Sequence, residues 1–207
     1  MNNFISYVFL GITLAAPIGP INAAQLDKGI KSGFLHAWFV GLGAIVADCF
    51  YMLCVYFGLV HFLEAPILKL FLYLFGCFVL AYTGIESLST AGKISTNQFR
   101  NRESLRKSFS TGFLMSISNP LSILFWLGIY GSVLAKSVQT VDSSQLIFNS
   151  SAIFIGLFIW DIAMAGLAST FQKIIDSKFL TLISYFSGLS LIGFSIYFGF
   201  EAYKMIF

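Results

Sequence analysis

Residues 35–59 read LHAWFVGLGAIVADCFYMLCVYFGL, with one acidic residue, Asp48, in the middle of the run. A membrane-spanning helix needs about 20 mostly apolar residues to cross about 30 Å of hydrocarbon. An ionisable group at the centre of such a helix costs roughly 3 kcal/mol on insertion scales, so it marks a functional site by default. The local stretch Gly43-Ala44-Ile45-Val46-Ala47-Asp48 has a counterpart in the second half of the chain, Gly156-Leu157-Phe158-Ile159-Trp160-Asp161. Two acids at matching places in two halves point to a duplicated transporter with a site near the bilayer midplane.

The rest of the chain has the same character. Of 207 residues, 57% are hydrophobic and only 10% charged, with a mean hydropathy of +0.85. A soluble domain carries about 25% charged residues, so this is an all-α integral membrane protein. Six apolar segments are long enough to span: Phe4–Leu26, Leu35–Leu59, Ile67–Ser89, Phe109–Leu134, Ile147–Ser169 and Phe179–Tyr203. They are too long for barrel strands, and helices satisfy their own backbone in lipid. No Lys or Arg precedes Lys28, so the first run lacks the basic region of a cleaved signal and is expected to stay. Cys49, Cys54 and Cys77 lack metal or disulfide spacing and read as apolar core thiols.

The loop Ala91–Ser108 carries Lys93, Arg100, Arg102, Arg106 and Lys107, and basic loops stay cytoplasmic. That choice also puts Lys28, Lys31, Lys173 and Lys178 inside, with Lys69, Lys136 and Lys204 outside. Both termini are then outside with six spans; a first segment that fails to cross would leave five spans and an internal N-terminus. The helices fall into two three-helix repeats, 1–90 and 109–207, around the cytoplasmic loop 91–108. An odd number of spans per repeat inverts the second against the first. Gly76-Cys77-Phe78-Val79-Leu80-Ala81-Tyr82 matches Gly188-Leu189-Ser190-Leu191-Ile192-Gly193-Phe194, and helix breakers occur in the first and fourth spans.

Those breakers are Pro17, Gly19 and Pro20, closely followed by Asn22, and Ser118-Asn119-Pro120, flanked by Ser116 and Ser122. Proline removes a backbone donor and clashes with the carbonyl four residues back, so each helix is expected to kink or unwind. A broken helix presents a positive half-helix N-terminus to an anion. Asn22 is expected to cap the second half-helix or face a cavity. Asp48 and Asp161 have no Lys or Arg in the spans around them, so each is protonated when the site is empty or paired with a bound cation. They are candidates for substrate binding and for proton coupling. Glu86 and Glu201 sit at span ends and read as solvated, and His36 and His61 make no metal motif. Gly41, Gly43, Ala44 and Ala47 allow close helix packing.

Two stretches carry a family resemblance. Ala16-Pro17-Ile18-Gly19-Pro20-Ile21-Asn22-Ala23-Ala24 with Gly29 and Gly33, and Phe109-x-x-Gly112-Phe113 through Ser118-Asn119-Pro120-Leu121-Ser122, resemble the first- and fourth-helix motifs of the LysE amino acid exporters. Length, six hydrophobic segments and the basic middle loop match as well. The resemblance implies export of amino acids and related small molecules from the bacterial cytoplasm by exchange for protons. In that family a basic residue commonly follows the Asn-Pro, where this chain has Leu121 and Ser122.

The combined reading is a secondary transporter of the bacterial cytoplasmic membrane that exports an amino acid or similar zwitterion. Half-helix N-termini take its carboxylate, Asp48 or Asp161 its ammonium group. The expected partners are the bilayer, a small-molecule substrate and protons or another counter-ion, with a homodimer left open and nucleic acid excluded. No cofactor is expected, and no Ser/His/Asp or His-rich grouping points to an enzyme. The rival readings are an inorganic cation efflux carrier, since hard cations prefer oxygen ligands, and a membrane assembly factor without transport.

Overall fold

The structure, a computed structural model, describes residues 2–16, 19–58, 66–91, 104–119, 122, 126, 130, 143–174 and 177–206. These residues form seven helices: α1 (Asn2–Ala15), α2 (Pro20–Ser32), α3 (Phe34–Tyr56), α4 (Pro66–Ala91), α5 (Leu105–Ile117), α6 (Ser143–Ile174) and α7 (Ser177–Ile206). Four stretches within α3, α4, α6 and α7 are long and apolar enough to cross a membrane, and the bent pair α1 and α2 makes a fifth when counted as one span. At about 1.5 Å per residue, the 32 residues of α6 and 30 of α7 exceed the hydrocarbon thickness. Both therefore tilt or project beyond it.

The first span breaks at its proline motif as expected, and its second half-helix runs on to Ser32, beyond the expected end at Leu26. The span bends by 78° between α1 and α2. Gly19, in extended conformation at φ −132° and ψ −173°, precedes Pro20, the first residue of α2. Proline at that position loses nothing, because its missing N–H had no helical partner, and it forces the preceding residue out of the helical region. Gly33, at φ 90°, separates α2 from α3 in a conformation open to glycine but strained for other residues. The span drawn from Phe109 also differs. α5 begins four residues earlier at Leu105, where Ser104 Oγ accepts from the Lys107 amide at 3.3 Å, so Arg106, Lys107 and Ser108 belong to a capped helix and not to a loop. α5 stops at Ile117, and Ser118 forms a turn.

α4 packs along α7, α3 against α5 and α1 against α6, with α2 wedged among α3, α6 and α7. Glycines let two of these pairs close up. A Cβ on Gly11 would lie 2.0 Å from the Ile153 carbonyl oxygen, and one on Gly156 2.1 Å from that of Val8. Between α3 and α5, a Cβ on Gly43 would lie 2.1 Å from the Phe109 oxygen, and one on Gly112 1.8 Å from the Val40 oxygen. Without a hydrophobic drive between helices in lipid, such backbone approach supplies the packing. The outer surface is apolar instead: Phe71, Phe78, Tyr82 and Ile85 of α4 and Phe186, Leu189, Ile196 and Phe200 of α7 are exposed.

α2 is polar yet interior. Asp27, Lys28 and Gln25 are all buried. Lys28 and Lys31 are not the open cytoplasmic-loop lysines of the charge count: Lys31 Nζ pairs with Asp27 at 2.6 Å and donates to the Ser87 carbonyl of α4 at 2.8 Å. Ser184 of α7 donates to the same Asp27 oxygen, Oδ1. Glu86 does not stand alone at the surface either, since it pairs with Lys107 across to α5. Buried His36 shares a 2.9 Å hydrogen bond with Ser108, a structural role.

Candidate functional site

The break between α1 and α2 opens a cavity of about 270 Å³. Its walls come from the end of α1 (Leu14, Ala15), the first turns of α2, the middle of α3, the mid-length of α6, one residue of α7 (Phe194) and Asn119, Ser122 and Trp126 after α5. Among these residues are two carboxylates, Asp48 and Asp161, and no Lys, Arg or His. The remaining polar groups are Asn22, Gln25, Asn119, Ser122 and the indoles of Trp126 and Trp160, set among aliphatic side chains. A mostly apolar hollow with a few convergent polar groups is the usual form of a small-molecule site.

Asp48 projects from α3. Its Oδ1 accepts from Trp126 Nε1 at 3.1 Å and from Ser116 Oγ at 3.2 Å. Asp161 projects from α6 and is 3% exposed. Its Oδ1 accepts from Gln25 Nε2 of α2, and its Oδ2 is buried with no hydrogen-bond partner among the described residues. Gly41 makes room for this contact: a Cβ there would fall 1.5 Å from Asp161 Oδ1 and 2.5 Å from Gln25 Nε2. Gln25 also reaches the Ala37 carbonyl at 3.4 Å, so it ties α2, α3 and α6 at one point.

Of the residues singled out by sequence, Gly19, Pro20, Asn22, Asp48, Asn119, Ser122 and Asp161 line this one cavity, as do Gly41 and Ala44, which were expected to serve helix packing. Pro17 and Pro120 lie outside the described residues. Ser118 does not line it; its hydroxyl bonds back to the Leu114 carbonyl at 2.5 Å, within its own helix. Asn22 does not cap α2, whose N-cap Gly19 has no side-chain bond. Its amide donates to the Ala15 carbonyl at 3.1 Å, closing the end of α1 across the break, while its oxygen accepts from Trp160 Nε1 at 3.2 Å. Asn22 therefore holds both half-helices and the α6 indole in one arrangement. Gln25 and Trp126, the donors to the two aspartates, were not legible as site residues. Their partners stand 136 and 78 positions away, beyond any local pattern. A polar Gln inside a segment that must be buried was the one available signal.

The sequence profile of the LysE type translocators matches residues 12–202, nearly the whole chain. The chain belongs to the LysE type translocator family. As a family member it is a multi-pass bacterial membrane protein and a transporter rather than an enzyme. It is 54% identical over 207 residues to the "Putative amino acid efflux protein YcgF" of Bacillus subtilis, covering 100% of this chain and 99% of that one. It is 26% identical over 171 residues to the chemotactic transduction protein ChpE of Pseudomonas aeruginosa, covering 82% and 84% of the two chains. An uncharacterized membrane protein of Synechocystis, slr1627, is 24% identical over 175 residues, or 83% and 82% of the two. No solved structure matches the chain significantly.

Proposed function

We propose that this LysE type translocator exports an amino acid or a closely related zwitterion across the bacterial cytoplasmic membrane in exchange for protons. The observation that carries the reading is the cavity at the helix break, which combines two carboxylates with no basic lining residue. The only charged side chains an ammonium group meets among the lining residues are these carboxylates. The positive end of α2 opens on the same wall at Gly19 and Pro20 and suits a carboxylate. Small zwitterions carry both groups a short distance apart. The similarity to an amino acid efflux protein over the full length agrees with this substrate class. A proton and an ammonium group that exclude one another from the negatively charged cavity supply the coupling.

The same proposal includes six spans in two inverted repeats, 1–90 and 109–207, with the basic loop 91–108 on the cytoplasmic side and both termini outside. Reciprocal contacts support it. Gly112 follows Gly11 by 101 positions, and Trp126 follows Gln25 by 101. Asp161 follows Asp48 by 113, as Gly156 follows Gly43. Gly11 packs against the helix of Asp161, and Gly112 against the helix of Asp48. Gln25 donates to Asp161, and Trp126 donates to Asp48. Exchanging the two halves therefore maps each contact onto the other. A homodimer belongs to the proposal only as an assembly the apolar outer faces permit.

Efflux from proteoliposomes loaded with radiolabelled amino acids, with and without an imposed pH gradient, tests the function. Asp48→Asn and Asp161→Asn keep shape and neutral hydrogen bonding, so insertion and folding are expected to survive while gradient-driven efflux fails. Coupled flux at the wild-type rate in both variants refutes the mechanism.

A further inference from the structure

The two aspartates line one cavity but are held in unlike ways. Asp48 is half-buried, and two neutral donors from different segments, the Trp126 indole and the Ser116 hydroxyl, converge on its Oδ1. An indole N–H can only donate, and donors converging on a carboxylate favour its charged form. Asp48 is thus built as an anion with access to the cavity. Asp161 has one donor, Gln25, and its Oδ2 is sealed from the cavity with no partner among the described residues. Leaving a charged oxygen in that state costs far more than leaving a neutral one. An ammonium nitrogen would have to approach Oδ2 to about 2.8 Å, and the protein already fills that space. A proton needs none.

We propose that the two aspartates divide the work. Asp48 is the standing anion that meets the cationic group of the substrate, and Asp161 carries the counter-transported proton on Oδ2. Gln25 is a positioning residue for Asp161, as Trp126 is for Asp48. The division rests on the exporter reading above. The groups facing Asp161 fit the assignment: Gln25 from α2, Gly41 from α3, and across the cavity Asp48, also from α3. α1 lines the cavity with Leu14 and Ala15 only, and α7 with Phe194. Of the three charged side chains of α2, Asp27 and Lys31 are engaged with each other and with Ser184 and Ser87, and Lys28 is buried outside the cavity lining. With Asp161 ionised the cavity holds two negative charges and retains a cationic group. A proton arriving at Asp161 from the outside leaves one charge, and the substrate is released there. The proton departs to the cytoplasm before the next substrate binds.

Two assays on the full-length protein in proteoliposomes separate the roles. One is exchange of labelled for unlabelled amino acids without a pH gradient, using a mixture of the twenty protein amino acids. The other is efflux driven by a pH gradient. Asp161→Asn, fixed in the neutral form that releases substrate, is expected to raise KM for exchange, to exchange still at saturating substrate, and to lose the response to the gradient. Asp48→Asn is expected to lose both by about 10- to 100-fold, the scale of one lost hydrogen bond to a charged group. Loss of exchange in Asp161→Asn even at saturating substrate overturns the division, whether or not Asp48→Asn retains it. Trp126→Phe and Gln25→Leu repeat the test without touching a carboxylate, so it stands even where an Asn variant does not fold. Trp126→Phe should raise KM for exchange and leave the pH profile in place. Gln25→Leu should move the midpoint of the pH profile of coupled efflux and leave KM nearly unchanged where Asp161 is fully ionised. The reverse pattern refutes the assignment. Wild-type protein that exchanges none of the amino acids sinks the exporter reading itself, an outcome distinct from any failure of the division.

Discussion

Lys31 and Asp27 make the sharpest stability test. Their side chains are 10% and 5% exposed and their charges 2.6 Å apart, one helical turn from each other on α2. An exposed pair of this spacing contributes at most about 1 kcal/mol. A buried pair behaves differently. Removing one partner strands the other charge and costs about 3–5 kcal/mol, whereas replacing both by apolar or neutral groups is close to neutral. For a chain of this size 1 kcal/mol shifts Tm by about 2–4 °C, so Lys31→Met should lower Tm by about 6–20 °C. Asp27→Asn should be the more severe variant. It takes the charged acceptor away from both Lys31 and Ser184. The double variant Asp27→Asn/Lys31→Met should recover more than half of the loss seen in Lys31→Met. Thermal unfolding of the purified proteins in one detergent measures all three. Single variants within about 2 °C of wild type, below the cost of stranding one buried charge, would show that water reaches the pair. A double variant as unstable as the sum of the singles would show that the charges are not coupled.

Other outcomes follow from the close approaches and from charge. Gly112→Val should lower Tm by about 2–12 °C through overpacking against the Val40 carbonyl. Gly166→Ala, with nothing within 4 Å of the new Cβ, should stay within about 0.5 kcal/mol of wild type in the same melts. Gly41→Ala puts a methyl where Asp161 Oδ1 now stands and should abolish coupled efflux in proteoliposomes while the protein remains monodisperse. Efflux at the wild-type rate would show that the Gln25–Asp161 contact is dispensable. Single cysteines at Ser95 and Ser143, with Cys49, Cys54 and Cys77 replaced, should differ in intact cells. An impermeant thiol reagent labels position 143 and spares position 95, and labelling of position 95 reverses the orientation.

What could be read in the chain before folding was whatever local chemistry enforces. Pro20 fixes its own φ and excludes its neighbour from a helix, so the first break was legible from adjacent letters. Asp48 and Asp161 were legible because an acid in an apolar run is costly wherever the run lies. Depth inside the protein is a different quantity. The positive-inside rule counts Lys28 and Lys31 by side of the membrane, yet Lys28 is buried and Lys31 pairs with Asp27 and reaches the Ser87 carbonyl of α4. Ser118 looked like a member of a polar site, but its hydroxyl is satisfied one turn back in its own helix. These departures share one cause. Once α1 ends at Ala15, the chain turns by 78° and carries PINAAQLDKGIKS into the space between α3, α6 and α7. In lipid that segment would be too polar to hold. Inside the bundle each polar group finds a fixed partner: Asn22 the Ala15 carbonyl and Trp160, Gln25 the Asp161 carboxylate, Asp27 Lys31 and Ser184. The break that makes the cavity also makes α2 an interior helix. Its polarity is then no defect of a weak transmembrane segment: it is the means by which the half-helix is held beside the two aspartates.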